Sequence, residues 1–348
     1  MPSSSHARPR ARGSVTLWFL LTFTALLIIG AFAIDLPRVF TASAELQNGA
    51  DAAALAGASA LSQSSTTGLN WAAGAASATS AIALNKSDSV ALSSGTVAAG
   101  YWDVAAASPT LIAPTQVTLP GAAGQMLEPA VQVTIARNAT SNGGWVSLLL
   151  GSLLGVATTG DSATAVAVIA PPSEVPIGAL FPMVMDQCVY DQYWDATQNA
   201  PKVDPTTGAP YEVEIGNGQT YGSTCDAAQW TSFDTTANNT KAIVTLITSG
   251  NPTPLSIGDS IYILPGIKDA IYNSVTAGQT VLMPVSTAIQ SKTTFTIVAF
   301  AAFYIDSVVG QSGKYIQGHF VAGYTMPTQG TGVSTSNYGG YVAPRLAF

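Results

Sequence analysis

Two histidines, two cysteines and a few closely spaced aspartates are the residues of this chain whose types and spacing could do chemistry. A hydrolytic Ser–His–acid relay needs an imidazole oriented between an acid and a nucleophile. His6 lies in the first few residues, which leaves His319 (in YIQGHFVAGY) with Asp306 and one of many serines. No G-x-S-x-G elbow supports such a relay, and a lone histidine in a strand-like run reads as a packed or surface residue. A structural zinc site needs about four Cys or His ligands, more than Cys188, Cys225 and His319 supply. Asp186, Asp191 and Asp195, in DQCVYDQYWD, offer hard oxygens to a calcium ion but lack the Gly-turned ligand rhythm of a calcium loop. They read as a solvated loop pinned by the neighbouring Cys188. Asp259 and Asp269 read as turn residues, since Asp satisfies local backbone N–H groups. No Walker A, dinucleotide fingerprint or EF-hand run occurs. Nor is there a D-x-S-x-S run of a divalent-ion adhesion site. The expectation is a protein that binds without turnover and uses no catalytic residue, cofactor or metal.

The two cysteines speak to compartment. Outside the reducing cytoplasm an isolated pair forms a disulfide, and joining Cys188 to Cys225 would restrain the unfolded chain by about 3–4 kcal/mol. The chain carries a net charge of −7. Past Asp35 there are 18 acidic and 9 basic residues. Phosphate binding needs clustered positive charge, so nucleic acid is not an expected partner.

What must position these residues begins at the N-terminus. Ser14 to Ile34 reads SVTLWFLLTFTALLIIGAFAI, 21 residues without a charge, against the roughly 20 that a bilayer-spanning helix needs. Arg8, Arg10 and Arg12 precede it and Asp35 is the first charge after it. Cationic residues beside a span favour the cytoplasmic side, so 1–13 is expected to be a cytoplasmic stub, 14–34 the membrane span, and the remainder exported. The competing reading is a signal peptide cleaved after Ala31-Phe32-Ala33, although its apolar core would be longer than the usual 7–15 or so residues. Pro37 either kinks the helix or starts a second one.

The stretch LQNGADAAALAGASAL, Leu46–Leu61, continues helical but nearly bare of side chains. Each glycine costs a helix about 1 kcal/mol relative to Ala, which asks for a packing reason. Gly49, Ala53 and Gly57 fall four apart, as do Ala50, Ala54 and Ala58, and small-xxx-small spacing lets backbones approach closely. A partnerless Ala-rich surface helix is the alternative. Beyond it the pattern predicts a helix within Gly68–Leu84, strands at Gly95–Ala105, Thr115–Leu119, Ala130–Arg137 and Thr164–Ile169, and a buried helix at Trp145–Leu154. Pro171-Pro172 reads as a domain boundary. After it come strand-like runs at Ala179–Val184, Tyr211–Ile215, Ala242–Ile247, Ser260–Leu264, Thr280–Pro284, Thr294–Tyr304 and Tyr315–Tyr324, with helical turns near Cys225–Trp230 and Lys268–Asn273. The predicted class is α+β. A long membrane-anchored helix packs on a small sheet (35–171), followed by a mostly β, sandwich- or barrel-like domain (172–324) and a flexible tail (325–348).

Arg12-Gly13-Ser14-Val15 before the span, Ile34-Asp35-Leu36-Pro37-Arg38 at its exit, and Leu46-Gln47-Asn48-Gly49-Ala50-Asp51-Ala52-Ala53-Ala54-Leu55-Ala56 after it resemble the start of the TadE/TadG-like Flp pilus-assembly proteins, bacterial envelope components. The run from Ala130 to Ile169 is similar more loosely, and the part after Pro172 resembles only the longer TadG-like members. Pro37 departs from the family, which usually has a small residue there. Pilin-like relatives carry a glutamate at the fifth position after the prepilin cleavage glycine, whereas the fifth residue after Gly13 is Trp18. The resemblance therefore implies an anchored accessory protein rather than a processed pilin. Its partners would be other envelope and pilus-assembly proteins, with a homo-oligomer as a further possibility. The alternative remains a secreted β-rich adhesin or matrix protein released near Ala33.

Overall fold

The computed structural model describes residues 14–63, 68–216, 218–222, 224–233, 239–264, 269–290, 292–310, 313–326 and 336–348. Arg8, Arg10 and Arg12 lie outside them. The architecture is a long N-terminal apolar helix followed by a mostly β C-terminal part with a nearly closed, barrel-like sheet.

Helix α1 runs unbroken through Ser14–Leu61, 48 residues, about 72 Å at 1.5 Å per residue. Pro37 sits inside it, and neither ends it nor opens a second helix. The residue lacks an N–H to donate back. Helix α2 spans Trp71–Ile82. The remaining principal elements are β1 (Thr96–Asp103), β2 (Leu111–Ile112), β3 (Leu127–Arg137), β4 (Asp161–Val168), β5 (Met183–Asp186), α3 (Gln187–Tyr193), β6 (Val213–Ile215), β7 (Ala228–Trp230), α4 (Thr240–Ser249), β8 (Gln279–Ser286), β9 (Ala299–Val309), β10 (Tyr315–Phe320) and β11 (Arg345–Leu346).

The chain divides into two compact units, one of Met1–Ala50, Ile82–Gly95 and Thr134–Ala163, the other of Asp51–Ala81, Thr96–Val133 and Thr164–Phe348. In the first, Leu46, Ile82, Leu92 and Ile135 are almost fully buried. A ribbon pairs Lys86–Ser87 with Val90–Ala91, turned by Asp88 and Ser89, both at positive φ as a two-residue type I′ hairpin requires. The expected helix at Trp145–Leu154 is instead a hairpin. Val146–Ser147 pairs with Thr158–Thr159, and a 3-10 turn at Gly151–Leu154 closes on Gly155 at φ 83°. Two glycines within five residues favour that left-handed cap over a continuing helix.

In the second unit, β6-β10-β9-β8-β5-β7 form a six-stranded sheet, and β11-β4-β3-β1-β2 are neighbours in a five-stranded one. The six-stranded sheet is antiparallel except where β5 runs parallel to β8. Its central strands are apolar on both faces. Met183, Met185, Met283, Val285, Ala301 and Phe303 enter one core, while Val184, Leu282 and Phe300 enter the other. Strands covered on both sides read as continuous apolar runs rather than alternations, as in MPV, VLM and AFAAF.

Several expectations change here. Ala242–Ile247, expected as a strand, is α4: Asn239 caps its N-terminus by accepting from the Ala242 N–H, Gly250 ends it, and Ile243 is buried. The caps outweigh the weak strand preference of a β-branched run. Cys225–Trp230, expected as a helical turn, is two short strands. Thr115–Leu119 holds a 3-10 turn at Pro114–Gln116 in place of a strand. Both sides of Pro171-Pro172 fall in the second unit, where Ala170 shares a core with Val175 and Leu180. The described residues of the expected flexible tail are built in. Gly340–Tyr341 pairs with Tyr324–Thr325, Tyr341 is fully buried, and Arg345–Leu346 edges β4. Apolar residues in NYGGYVAPRLAF outweigh its glycines.

Candidate functional site

Asp35 is the first charge after the apolar stretch, and the structure surrounds it. Its carboxylate accepts three backbone N–H groups from the hairpin tip: Leu149 at 2.7 Å, Leu150 at 2.9 Å and Gly151 at 2.6 Å. These are the donors that a short helical turn leaves without partners at its start, so an aspartate on one helix caps the turn of another segment. Desolvation by its neighbours opposes ionisation, but the three N–H bonds and the nearby Arg38 guanidinium outweigh it and hold the carboxyl below its ordinary range. Competition from Asp35 for these N–H groups is a second reason why Trp145–Leu154 does not continue as a helix.

One to three turns further along α1 lies a polar tie. Arg38 grips Asp88 with two parallel bonds, Nε to Oδ1 at 3.1 Å and Nη2 to Oδ2 at 2.9 Å. Glu45 accepts the Asp88 N–H at 2.5 Å, and the Ser87 hydroxyl donates to the Ala42 carbonyl. Arg137, buried at the end of β3, donates to the carbonyls of Ser87 and Gly144 and stands 3.7 Å from Asp88. Ser43 bonds Asp161 at the start of β4. These contacts fix the base of the 86–91 ribbon and of the 146–159 hairpin to the helix.

The six small residues of α1 are all buried. A Cβ added to Gly49 would come within 3.0 Å of the Leu92 side chain. At Gly57 it would meet Val131 at 2.8 Å, Ala78 at 2.9 Å and the Gly74 carbonyl at 2.9 Å. In the second unit, α2 thus crosses α1 at backbone distance, with Gly74 against Leu61. Ala53, Ala54 and Ala58 are fully buried.

Cys188 and Cys225 form a disulfide with Cα atoms 6.0 Å apart, tying α3 to the ribbon of Thr220–Tyr221 and Cys225–Asp226. The acidic stretch around Cys188 is a helix where a solvated loop was expected. Asp186 caps α3 through the Cys188 N–H, Val189 and Tyr190 are fully buried, and Asp195 turns the chain by accepting from Thr197 and Gln198. Among the described residues no group of three His, Cys, Asp or Glu is placed to hold a metal ion. His319 does meet Asp306, Nδ1 to Oδ2 at 2.7 Å. Asp259 accepts the Ser256 N–H, a turn contact.

Sequence reasoning missed Glu128, which is 3% exposed at the start of β3. Burial pushes its carboxyl up to about 8, against a smaller opposing pull from Arg345. It lines a cavity of about 270 Å³ with Leu119, Met126, Pro171 and Asn199. The available signal was the single acidic residue of the strand, set beside Leu127, Pro129 and Ala130.

Residues 13–60 match the family model described as Flp pilus-assembly TadE/G-like, and residues 56–167 match a second described as Tad-like Flp pilus-assembly. No curated protein and no solved structure matches the chain. The matched residues include the apolar helix, the Asp35 cap, the small-residue stripe and the 146–159 hairpin, all read above from their own geometry. Over residues 13–167, somewhat less than half of the chain, the protein is similar to the Tad-type Flp pilus-assembly families.

Proposed function

We propose that this protein is a single-pass anchor of the bacterial inner membrane, with its N-terminus cytoplasmic and its bulk periplasmic, and that it serves Flp pilus assembly by binding other envelope proteins. The observation that carries the reading is helix α1. From Val15 to Ile29 its large apolar side chains stand exposed, over a length and composition able to cross a membrane. Burying such side chains is worth about 25 cal/mol per Å², so they call for a hydrocarbon environment.

The family's role in pilus assembly supplies the process, and it is not an enzyme family. In this reading the small-residue stripe and α2 stiffen the segment next to the membrane, and the disulfide-tied β part presents the partner surface. Its partners would be other pilus or envelope proteins, a second copy of the chain among them.

Carbonate extraction of membranes with N-terminal sequencing tests the anchor. Retention in the pellet with residues 14–33 intact supports it. A soluble product starting at Ile34 overturns it in favour of a secreted adhesin or matrix protein. Deleting the gene and imaging surface pili tests the process: loss of pili supports the assignment, and unchanged pili and adhesion overturn it.

A further inference from the structure

The tip of the 146–159 hairpin has a composition that a water-facing loop would not carry. Between Leu148 and Ala157 stand five leucines and Val156. Leu149 is 62% exposed and Val156 55%. The tip lies against α1 where the apolar stretch ends. Leu150 is the nearest side chain to Gly30, Ala31 is only 4% exposed, and a cavity of about 330 Å³ is walled by Ala31, Phe32, Leu36, Leu148 and Val156 with Asp35. Of its walls Phe32 and Leu36 remain exposed, as do Ile29 and Phe40 nearby on α1, so exposed apolar side chains of the loop and of the helix meet at this cavity.

A second observation is independent of composition. Irregular backbone is tolerated at membrane depth only where its polar groups are satisfied within the protein. Leu149, Leu150 and Gly151 donate to Asp35. Leu148 donates to the Ala157 carbonyl, Gly155 to Ser152 and Val156 to Gly151. The Ser152 hydroxyl also donates to the Leu149 carbonyl. Six N–H groups of a ten-residue loop are thus hydrogen-bonded within the protein, three of them to the one formal charge at its base.

We infer that the Leu148–Ala157 loop is a second membrane contact, inserted among the lipid acyl chains of the leaflet from which α1 emerges. There it fills the interface beside the span, as apolar faces of interfacial segments do. The inference rests on the anchor reading above. Contact at a second place beside the span would restrict the tilt and rotation of α1, which a lone span leaves to its neighbours.

The test uses the full-length oxidised protein, whose paired cysteines leave an introduced thiol as the single reactive one. Leu149→Cys, Val156→Cys, Phe23→Cys in the span and Ala91→Cys on the ribbon beside Ala42–Glu45 are each labelled with an environment-sensitive fluorophore. They are then reconstituted in vesicles of phosphatidylethanolamine and phosphatidylglycerol, with or without spin-labelled acyl chains. The expected result is that probes at 149 and 156 lose emission to the spin label as the Phe23 probe does, while the Ala91 probe does not. If Phe23 is quenched and 149 and 156 behave like Ala91, the loop inference fails and the anchor stands. If none is quenched, the anchor reading itself fails. A blue-shifted but unquenched signal at 149 and 156 means that protein, such as a second copy, covers the loop, and overturns lipid as its occupant.

Discussion

Glu128 and Gly57 show most directly how single side chains set the behaviour of this molecule. Glu128 is held near 8 by burial, above its ordinary range of about 4.3. The folded state therefore keeps a proton that the unfolded chain releases once pH passes the unfolded value. Stability must fall as pH rises across that window, and the loss is complete above the folded value. Glu128→Gln is expected to flatten the dependence, leaving denaturant stability nearly unchanged at pH 5 and raising it at pH 8 by a few kcal/mol in order of magnitude. Parallel curves for the two proteins from pH 5 to 8 would contradict this. At Gly57 two effects compete. Alanine is the better helix former by about 1 kcal/mol, but its methyl would lie 2.9 Å from a backbone carbonyl and from Ala78. Overpacking of this kind costs about 1–3 kcal/mol. Gly57→Ala should therefore destabilise, whereas Gly49→Ala, opposed mainly by the movable end of Leu92, should be near neutral. A calorimetric comparison in detergent decides, and a more stable Gly57→Ala would show that the helices can part.

Among the elements, the ones legible in the sequence were those with a single strong signal. The apolar run of α1, the alternation of Val131, Val133 and Ile135 in β3, and the Ala-rich α2 all appear close to their expected places. The tip of the 146–159 hairpin was not legible, because its pattern depends on Asp35, 114 residues away from Leu149. Helix α4 was missed because TKAIVTLITS satisfies both periods, and the decision lies in the flanking Asn239 and Gly250. Asn239→Ala should accordingly cost about 1 kcal/mol; an unchanged denaturation midpoint would show that packing of Ile243 alone holds the helix. Helix α3, QCVYDQY, is only seven residues long, too short to show a helical period. Its disulfide closes a separation of 37 residues, so reduction should lower stability by about 3–4 kcal/mol. Equal unfolding midpoints with and without reductant would contradict a structural role for the bond. Of the site, the stripe and the cysteine pair were readable from spacing. The Asp35 cap and Glu128 were not, since each depends on which distant backbone folds over a carboxylate.

At the scale of the whole molecule, one charge-free segment, an acidic remainder and a disulfide all bear on the same topology. The central claim is that α1 crosses the inner membrane and delivers everything past Asp35 to the periplasm. The direct measurement is modification of Thr207→Cys, an exposed position, by a membrane-impermeant maleimide on intact spheroplasts, followed by carbonate washing of the membranes. The account predicts full labelling before lysis on a chain that stays in the membrane pellet. A thiol that reacts only after lysis, or a labelled chain that washes free, would contradict it.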